Sequence, residues 1–408
     1  MLNFKFHPFG KLRTRFSIFN FLSVGYLITI IFLFLYSFTQ VDLNLTLSQW
    51  SVWLVFEKFF QQIGYFNRPM SGFFYIIIIF LLFIFYFVFL YLASKNKIKK
   101  NQAWTLTIIS TLILSFSYNA FSYDLFNYIF DAKIITHYGL NPYAHKALDF
   151  SNDPMINFMR WTHRTYPYGP FWLVLTVPMS FLGFNFFLPT FFLFKFLISA
   201  SFLGTAFYIS KILKKINPKS ELFGLSLFVF NPLIIIEGLV SSHNELPMVF
   251  FAVLSLYLLI KKKHVISFFS LLFSIGIKFA TVFLLPIHIY ALLKIRDKTD
   301  FGKLYNLIVP FMTIPLIFVT IRTNFQPWYL LYIVSFTPFL KNKYHAFIIS
   351  SIFPFFALLE YLPFILRGDW NFPVPDILLS LTFLGGFLTI LLLVWKPFIV
   401  KLFASNNK

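Results

Sequence analysis

The sequence predicts an all-α polytopic membrane protein with about 12 transmembrane helices and a large external loop. Three observations carry that prediction. First, 59% of the 408 residues are hydrophobic and only 12% are charged, with a mean hydropathy of +0.77; soluble domains carry about 25% charged residues. Second, the apolar residues form continuous runs near the roughly 20 residues that span a bilayer, not the alternating pattern of a β-barrel. Third, the positive charges fall in short clusters between runs, as at Lys95–Lys100, Lys211–Lys219 and Lys261–Lys263, which is the positive-inside signature of cytoplasmic loops. The formal charge of +20 therefore does not form the single basic face that reads phosphates, and no nucleic-acid partner is expected.

Lys11, Arg13 and Arg15 precede the run 18–38 and mark an uncleaved anchor with a cytoplasmic N-terminus. Crossings follow near 72–93 and 103–121, then near 221–240, 246–261, 265–279, 280–293, 304–321, 327–340, 345–362 and 376–395. Residues 169–210 have length for two helices, but their flanks demand an odd number of crossings, so part of 170–187 is expected at the interface or re-entering. The chain reads as one integral-membrane domain, 1–408, with N-terminal helices 1–102, a core 103–340 that includes the loop 122–168, and C-terminal helices 341–408. Lys396 and Lys401 place the C-terminus inside. With no cysteine, the sequence carries no disulfide information.

The chemistry concentrates where polar groups interrupt this apolar background. Of 14 acidic residues, Asp124, Asp131, Asp149 and Asp153 lie in 122–168. Asp124 follows directly on an apolar run, where a carboxylate is costly to desolvate and is read as functional by default. Asp124, Tyr128 and Asp131 are spaced i, i+4, i+7 and share one face of an amphipathic helix that ends before Gly139 and Asn141-Pro142. Lys133 or Arg160 is available to pair with Asp131. Arg164 and Tyr168, next to the rigid Tyr166-Pro167-Tyr168-Gly169-Pro170 turn, either anchor the interface or hold a phosphate-bearing ligand.

Glu237 lies inside an apolar run and is costly there unless paired or facing a polar cavity. His243, Asn244 and Glu245 follow in a polar turn; their spacing does not converge on a metal from a regular helix, and a sugar-hydroxyl role suits them better. Lys278 interrupts an apolar stretch on the outer side, either as a point charge for a lipid phosphate or as a side chain snorkelling to headgroups. Gln326 and Trp328, in Asn324-Phe325-Gln326-Pro327-Trp328-Tyr329, offer an amide and a stacking ring at a helix mouth, or an aromatic belt. No cofactor or metal requirement is evident.

These segments (S-Y-D-L-F-N-Y at a helix exit, Y-G-L-N-P-Y, W-(x)4-Y-P-Y-G-P-F-W, N-P-L-(x)3-E-G-(x)4-H-N-E, Lys278 with Pro286, and F-Q-P-W-Y) occur in order across residues 118–330. Together they resemble the GT-C superfamily of integral-membrane glycosyltransferases, which use polyprenyl-phosphate sugars, and most of all its prokaryotic mannosyltransferase-like branch. The resemblance implies a prokaryotic cytoplasmic-membrane enzyme of GT-C-like fold whose first large external loop supplies an aspartate base. It carries that role onto Asp124. The family's catalytic loop usually follows the first helix, whereas three crossings are read before Asp124 here.

The expected reaction moves a hexose or pentose, mannose favoured, from a polyprenyl-phosphate-sugar to an acceptor hydroxyl of a glycan, lipid or protein on the non-cytoplasmic face. Asp124 accepts the hydroxyl proton, Lys278, Arg164 and Tyr168 hold the leaving phosphate, and Tyr128, Asp131, Glu237, His243, Asn244, Gln326 and Trp328 orient sugars. Attack opposite the leaving group inverts the anomeric centre. A transporter or flippase of a lipid-linked glycan is the rival reading, though no internal repeat of the kind common in transporters is seen. A glycan polymerase or ligase is the other.

Overall fold

The computed structural model describes residues 18–294 and 299–395, which are helical throughout apart from turns and loops; the basic residues at 11–15, 296, 298, 396 and 401 lie outside them. The helices are α1 (Ile18–Ser37), α2 (Ser51–Gln61), α3 (Arg68–Ser94), α4 (Lys100–Ser115), α5 (Asp124–Thr136), α6 (Pro170–Leu182), α7 (Phe187–Ile216), α8 (Glu221–Val229), α9 (Glu245–Ile260), α10 (His264–Ile277), α11 (Leu285–Leu293), α12 (Phe301–Tyr305), α13 (Ile308–Thr323), α14 (Leu331–Val334), α15 (Lys343–Leu359), α16 (Tyr361–Arg367) and α17 (Val374–Val394). Among the described residues no strand forms, and one isolated antiparallel bridge joins Lys146 and Thr165.

Among the described residues six helical segments are long and apolar enough to cross a membrane: Phe19–Gln40, Arg68–Ser94, Phe187–Ile216, Phe301–Thr323, Lys343–Arg367 and Val374–Val394. A seventh is the bent pair Pro218–Val229 and Ile234–Val240. Fewer segments meet that length than the crossings read from the sequence, for local reasons. The expected crossing 103–121 ends as a helix at Ser115. The run 327–340 breaks into a 3-10 turn (Pro327–Leu330), α14 and a second 3-10 turn (Thr337–Phe339), each 3-10 turn with a proline at its first turn; proline fixes φ and lacks the N–H a continuing helix needs. The runs 246–261 and 265–279 become the short helices α9 and α10, packed against each other. In 169–210 only α7 has spanning length, while α6 stops at Leu182 ahead of Gly183.

Aliphatic and aromatic side chains from nearly every element form one continuous buried cluster. Outside it, large apolar side chains such as Phe21, Phe80, Ile321 and Phe383 are exposed on several helices, a surface that water would not favour and lipid does. Helix α17 is the least embedded of the spans. α7 packs against α4, α6, α8 and α9, and α5 packs against α6 and α7, so α7 is the post on which α4–α6, α8 and α9 are assembled.

The bend before Glu237 has a local cause. Asn231 accepts hydrogen bonds from Leu233 N at 3.0 Å and Ile234 N at 3.4 Å, and its amide donates to Ser350 O at 2.7 Å. Pro232 cannot continue the α-helical bonding of α8. The chain restarts at 57° to α8 as a π-helical segment, Ile234–Val240. Such single-turn π segments are frequent at functional sites.

Candidate functional site

Asp124 is the first residue of α5, where a carboxylate meets the positive end of the helix dipole. The turn that delivers it is tied down: Tyr118 N donates to Ser37 Oγ at 3.0 Å, Asn119 Nδ2 to Ser122 O at 2.7 Å, and Asp124 N to Ser122 Oγ at 3.1 Å. Beside it, Tyr123 Oη donates to Asp42 Oδ2 at 3.1 Å, and the Arg160 guanidinium lies 4.7 Å over the Tyr123 ring and 3.5 Å from the same carboxylate. Arg160 is thus committed to Asp42, and Lys133 pairs with Asp153. Neither makes the expected pair with Asp131.

The His243 turn faces Asp124. Ser242 holds a left-handed backbone, φ 59°, a conformation that side-chain-bearing residues seldom keep without a compensating structure. His243 N donates to Glu237 O at 3.1 Å, so the turn folds back over the π segment. The His243 ring then stands between two carboxylates: Nδ1 is 3.6 Å from Asp124 Oδ2, and Nε2 is 3.4 Å from Glu237 Oε2. Trp328 stacks on the ring at 4.3 Å and 20°. Tyr361 Oη donates to Glu237 Oε1 at 2.8 Å. Tyr361 was not singled out in the sequence; its only signal there is a tyrosine beside Glu360 in an apolar helix.

On the other side, Arg164 Nη2 lies 3.9 Å from Asp124 Oδ1 and 3.5 Å from Tyr168 Oη. Gly169 docks the end of this loop: its N–H donates to Ile277 O at 3.2 Å, and a Cβ there would sit 2.1 Å from Gly276 O. Only glycine permits that approach, and it sets Tyr168 beside Lys278. The Lys278 ammonium is paired with Glu245 and lies 5.7 Å from the Tyr168 and Tyr329 rings and 5.9 Å from Tyr332. Sequence reading noticed Glu245 and Lys278 separately; their pairing depends on how α9 packs against the chain after α10.

The cluster has two layers. The Arg164, Lys278 and Asp124 side chains are 34%, 19% and 12% exposed, whereas those of His243, Glu237 and Glu245 are 0% exposed. A slightly exposed carboxylate, with two partly exposed cations whose charges act on it, is therefore backed by a sealed polar layer. Asn244 belongs to the sealed layer, and neither of its amide atoms finds a partner. Tyr128 packs edge-on against Tyr168 and Trp172, both at 5.3 Å. Gln326 is half-buried just before the Pro327–Leu330 turn that carries Trp328, and among the described residues no hydrogen bond ties its amide to the cluster. Asp131 shares the Asp124 face of α5 two turns on. The cavity of about 250 Å³ bounded by Lys133, Asp153 and Phe187 lies on the opposite face of α5 and shares no lining residue with the cluster.

Electrostatics follow from the burial. Desolvation pushes the Asp124 carboxyl above its ordinary value, while Arg164 and Lys278 pull it back. Desolvation likewise pushes Asp131 up to about 8, with Arg164 opposing and Asp124 adding to the rise. Among the described residues no group of three or more His, Asp and Glu side chains is arranged to hold a metal ion.

Comparison with known proteins narrows what this cluster serves. No curated protein and no solved structure matches the chain. A family model described as the N-terminal domain of alpha-(1->6)-mannopyranosyltransferase matches residues 39–294, a stretch that contains Asp124, Arg164, Glu237, His243 and Lys278 and is well over half of the chain. The chain belongs to this MptA/B family and is a glycosyltransferase of the mannosyltransferase type.

Proposed function

We propose that the protein transfers mannose from a polyprenyl-phosphate-sugar donor to an acceptor hydroxyl at the non-cytoplasmic face, with inversion and with Asp124 as general base. The observation that carries the reading is the layered cluster: Asp124 keeps a partly exposed carboxylate, and the Arg164 and Lys278 cations, both beside Tyr168, act on it from the side away from His243. Transfer from a phosphate leaving group needs both parts. A carboxylate takes the proton of the attacking hydroxyl, and fixed cations stabilise the negative charge that grows on the departing phosphate. A donor carried in the bilayer suits a site set among apolar helices long enough to span. The family description favours an alpha-1→6 linkage.

Within this scheme Asp124 removes the acceptor proton as the oxygen attacks the anomeric carbon, and the phosphate leaves from the opposite face toward Lys278, Arg164 and Tyr168. His243, held by the Trp328 ring and backed by Glu237, orients Asp124. Half-buried Gln326 faces the approach to sugar hydroxyls, while buried Tyr128, packed on Tyr168, and Asn244 support the layer beneath.

Purified protein given polyprenyl-phosphate-mannose and a mannose oligosaccharide tests this. Wild type is expected to form a glycosidic product whose anomeric configuration is opposite to the donor's. Asp124→Asn is expected to lose about 10²–10⁴-fold in rate. Full transfer by a folded D124N variant, or release of the donor sugar to the other side of a vesicle without a glycosidic bond, overturns the reading.

A further inference from the structure

Lys195 is fully buried in the N-terminal third of the apolar helix α7. Its ammonium donates to Ser117 Oγ at 3.0 Å, Leu239 O at 2.6 Å and Val240 O at 2.9 Å. A lysine ammonium has three donors and no acceptor, so these three neutral oxygens use it completely. Among the described residues it pairs with no carboxylate. A buried charge without a counter-ion is a poor source of stability, and an ionisable group inside a spanning helix is expected to have a functional reason.

The two ends of the clamp supply that reason. Leu239 and Val240 close the π segment that carries Glu237, and the ammonium sits at the negative end of that segment, where a cation is favoured. Three residues beyond Val240 is His243, reached through the left-handed Ser242, whose own hydroxyl also leans on Leu239 O and Val240 O. Ser117, at the other end, begins the turn that runs through Tyr118, Asn119 and Ser122 to Asp124. One ammonium therefore joins the backbone that delivers His243 to the backbone that delivers Asp124.

We propose that Lys195 is a positioning residue that sets the separation of His243 from Asp124 and so the competence of the base. The inference rests on the reading of Asp124 and His243 given above. Without the ammonium, two buried carbonyls keep only the long contacts of the Ser242 hydroxyl, and the strained Ser242 turn loses its tie to α7. The substrate-facing cations Arg164 and Lys278 are held by other contacts, so donor binding is independent of Lys195.

The test uses the full chain in lipid nanodiscs with polyprenyl-phosphate-mannose and a mannose oligosaccharide. Lys195→Met is expected to lower kcat by about 10-fold, and by no more than His243→Ala does, with KM changed by less than ~3-fold. In a His243→Ala background the same substitution is expected to add less than ~2-fold, because residues acting through one unit are non-additive. A loss confined to KM, a kcat loss that multiplies with that of H243A, or a normal kcat in K195M overturns the proposal. Where K195M does not fold, Ser117→Ala removes one acceptor of the clamp and is expected to lower kcat by about 3–10-fold, again without adding to H243A; unchanged kcat overturns it. D124N run alongside separates the two ideas: an inactive D124N with a normal K195M removes only the Lys195 role, and a fully active D124N removes the base assignment and the Lys195 role with it.

Discussion

His243 and Asp124 face each other at 3.6 Å, and among the described residues neither ring nitrogen of His243 makes a hydrogen bond. The ring also stands 3.4 Å from Glu237 and is stacked on Trp328. A carboxylate, an imidazole and a second carboxylate are thus aligned a few tenths of an ångström beyond hydrogen-bond contact. Catalytic contacts are often long in unliganded proteins and tighten with substrate bound. His243→Ala is expected to lower kcat by about 10–100-fold, and Trp328→Ala, which frees the ring without removing it, by less. Equal losses in the two variants would place the chief contribution in the indole, as a sugar platform. Steady-state kinetics on purified variants decides.

The pH dependence of activity follows from the position of Asp124. A base must be deprotonated, and burial raises its carboxyl above the ordinary range while Arg164 and Lys278 oppose the rise. The acid limb of kcat/KM is therefore expected above the ordinary carboxylate range near 4. Arg164→Met removes the first of the opposing charges and is expected to move that limb to higher pH. A limb that stays in place, or moves down, would show that another group limits the rate.

Asp131 gives a stability signature of opposite sense to that of a salt-bridged carboxylate. Its pKa rises to about 8 on folding through desolvation, so the folded state binds more protons than the unfolded chain between the ordinary carboxylate value and about 8. Stability then falls as pH rises through that window. Asp131→Asn removes the titration: its Tm is expected to match wild type at pH 4 and to exceed it at pH 8. A Tm gap that is constant with pH is the contrary outcome, read by thermal unfolding in detergent.

The buried pair Lys278–Glu245 separates stability from activity. Lys278→Met leaves Glu245 sealed without its cation, and breaking such a pair costs about 3–5 kcal/mol. Lys278→Met combined with Glu245→Gln is expected to recover most of that stability, since the remaining amide carries no charge. Activity is expected to stay low in the double variant, because the cation facing the leaving phosphate is still missing. Recovery of activity along with stability would reduce Lys278 to a structural role.

Asp124, Glu237, His243 and Lys278 were legible in the sequence because each violates the composition around it, and a bilayer-embedded polar group is too costly to be incidental. The helix at Asp124–Thr136 was equally legible from its i, i+4, i+7 spacing and the Gly139 break. Helix number was less so: an apolar run has the same composition whether it crosses in one piece, as α3 does, or is cut by Pro327 and Pro338 into short turns inside the core.

The sequence by itself determined that the chain is helical, apolar and punctuated by a few expensive polar residues, because hydropathy and charge act locally and are read along the chain. The partners of those residues were decided only by the tertiary structure. Glu245 with Lys278, Tyr361 with Glu237 and Lys195 with the carbonyls of Leu239 and Val240 are separated by 33, 124 and 44–45 positions. No periodicity encodes such distances; they arise when α7, α9 and the bent segment before Ser241 pack together and each buried polar atom must find its partner inside the same low-dielectric core.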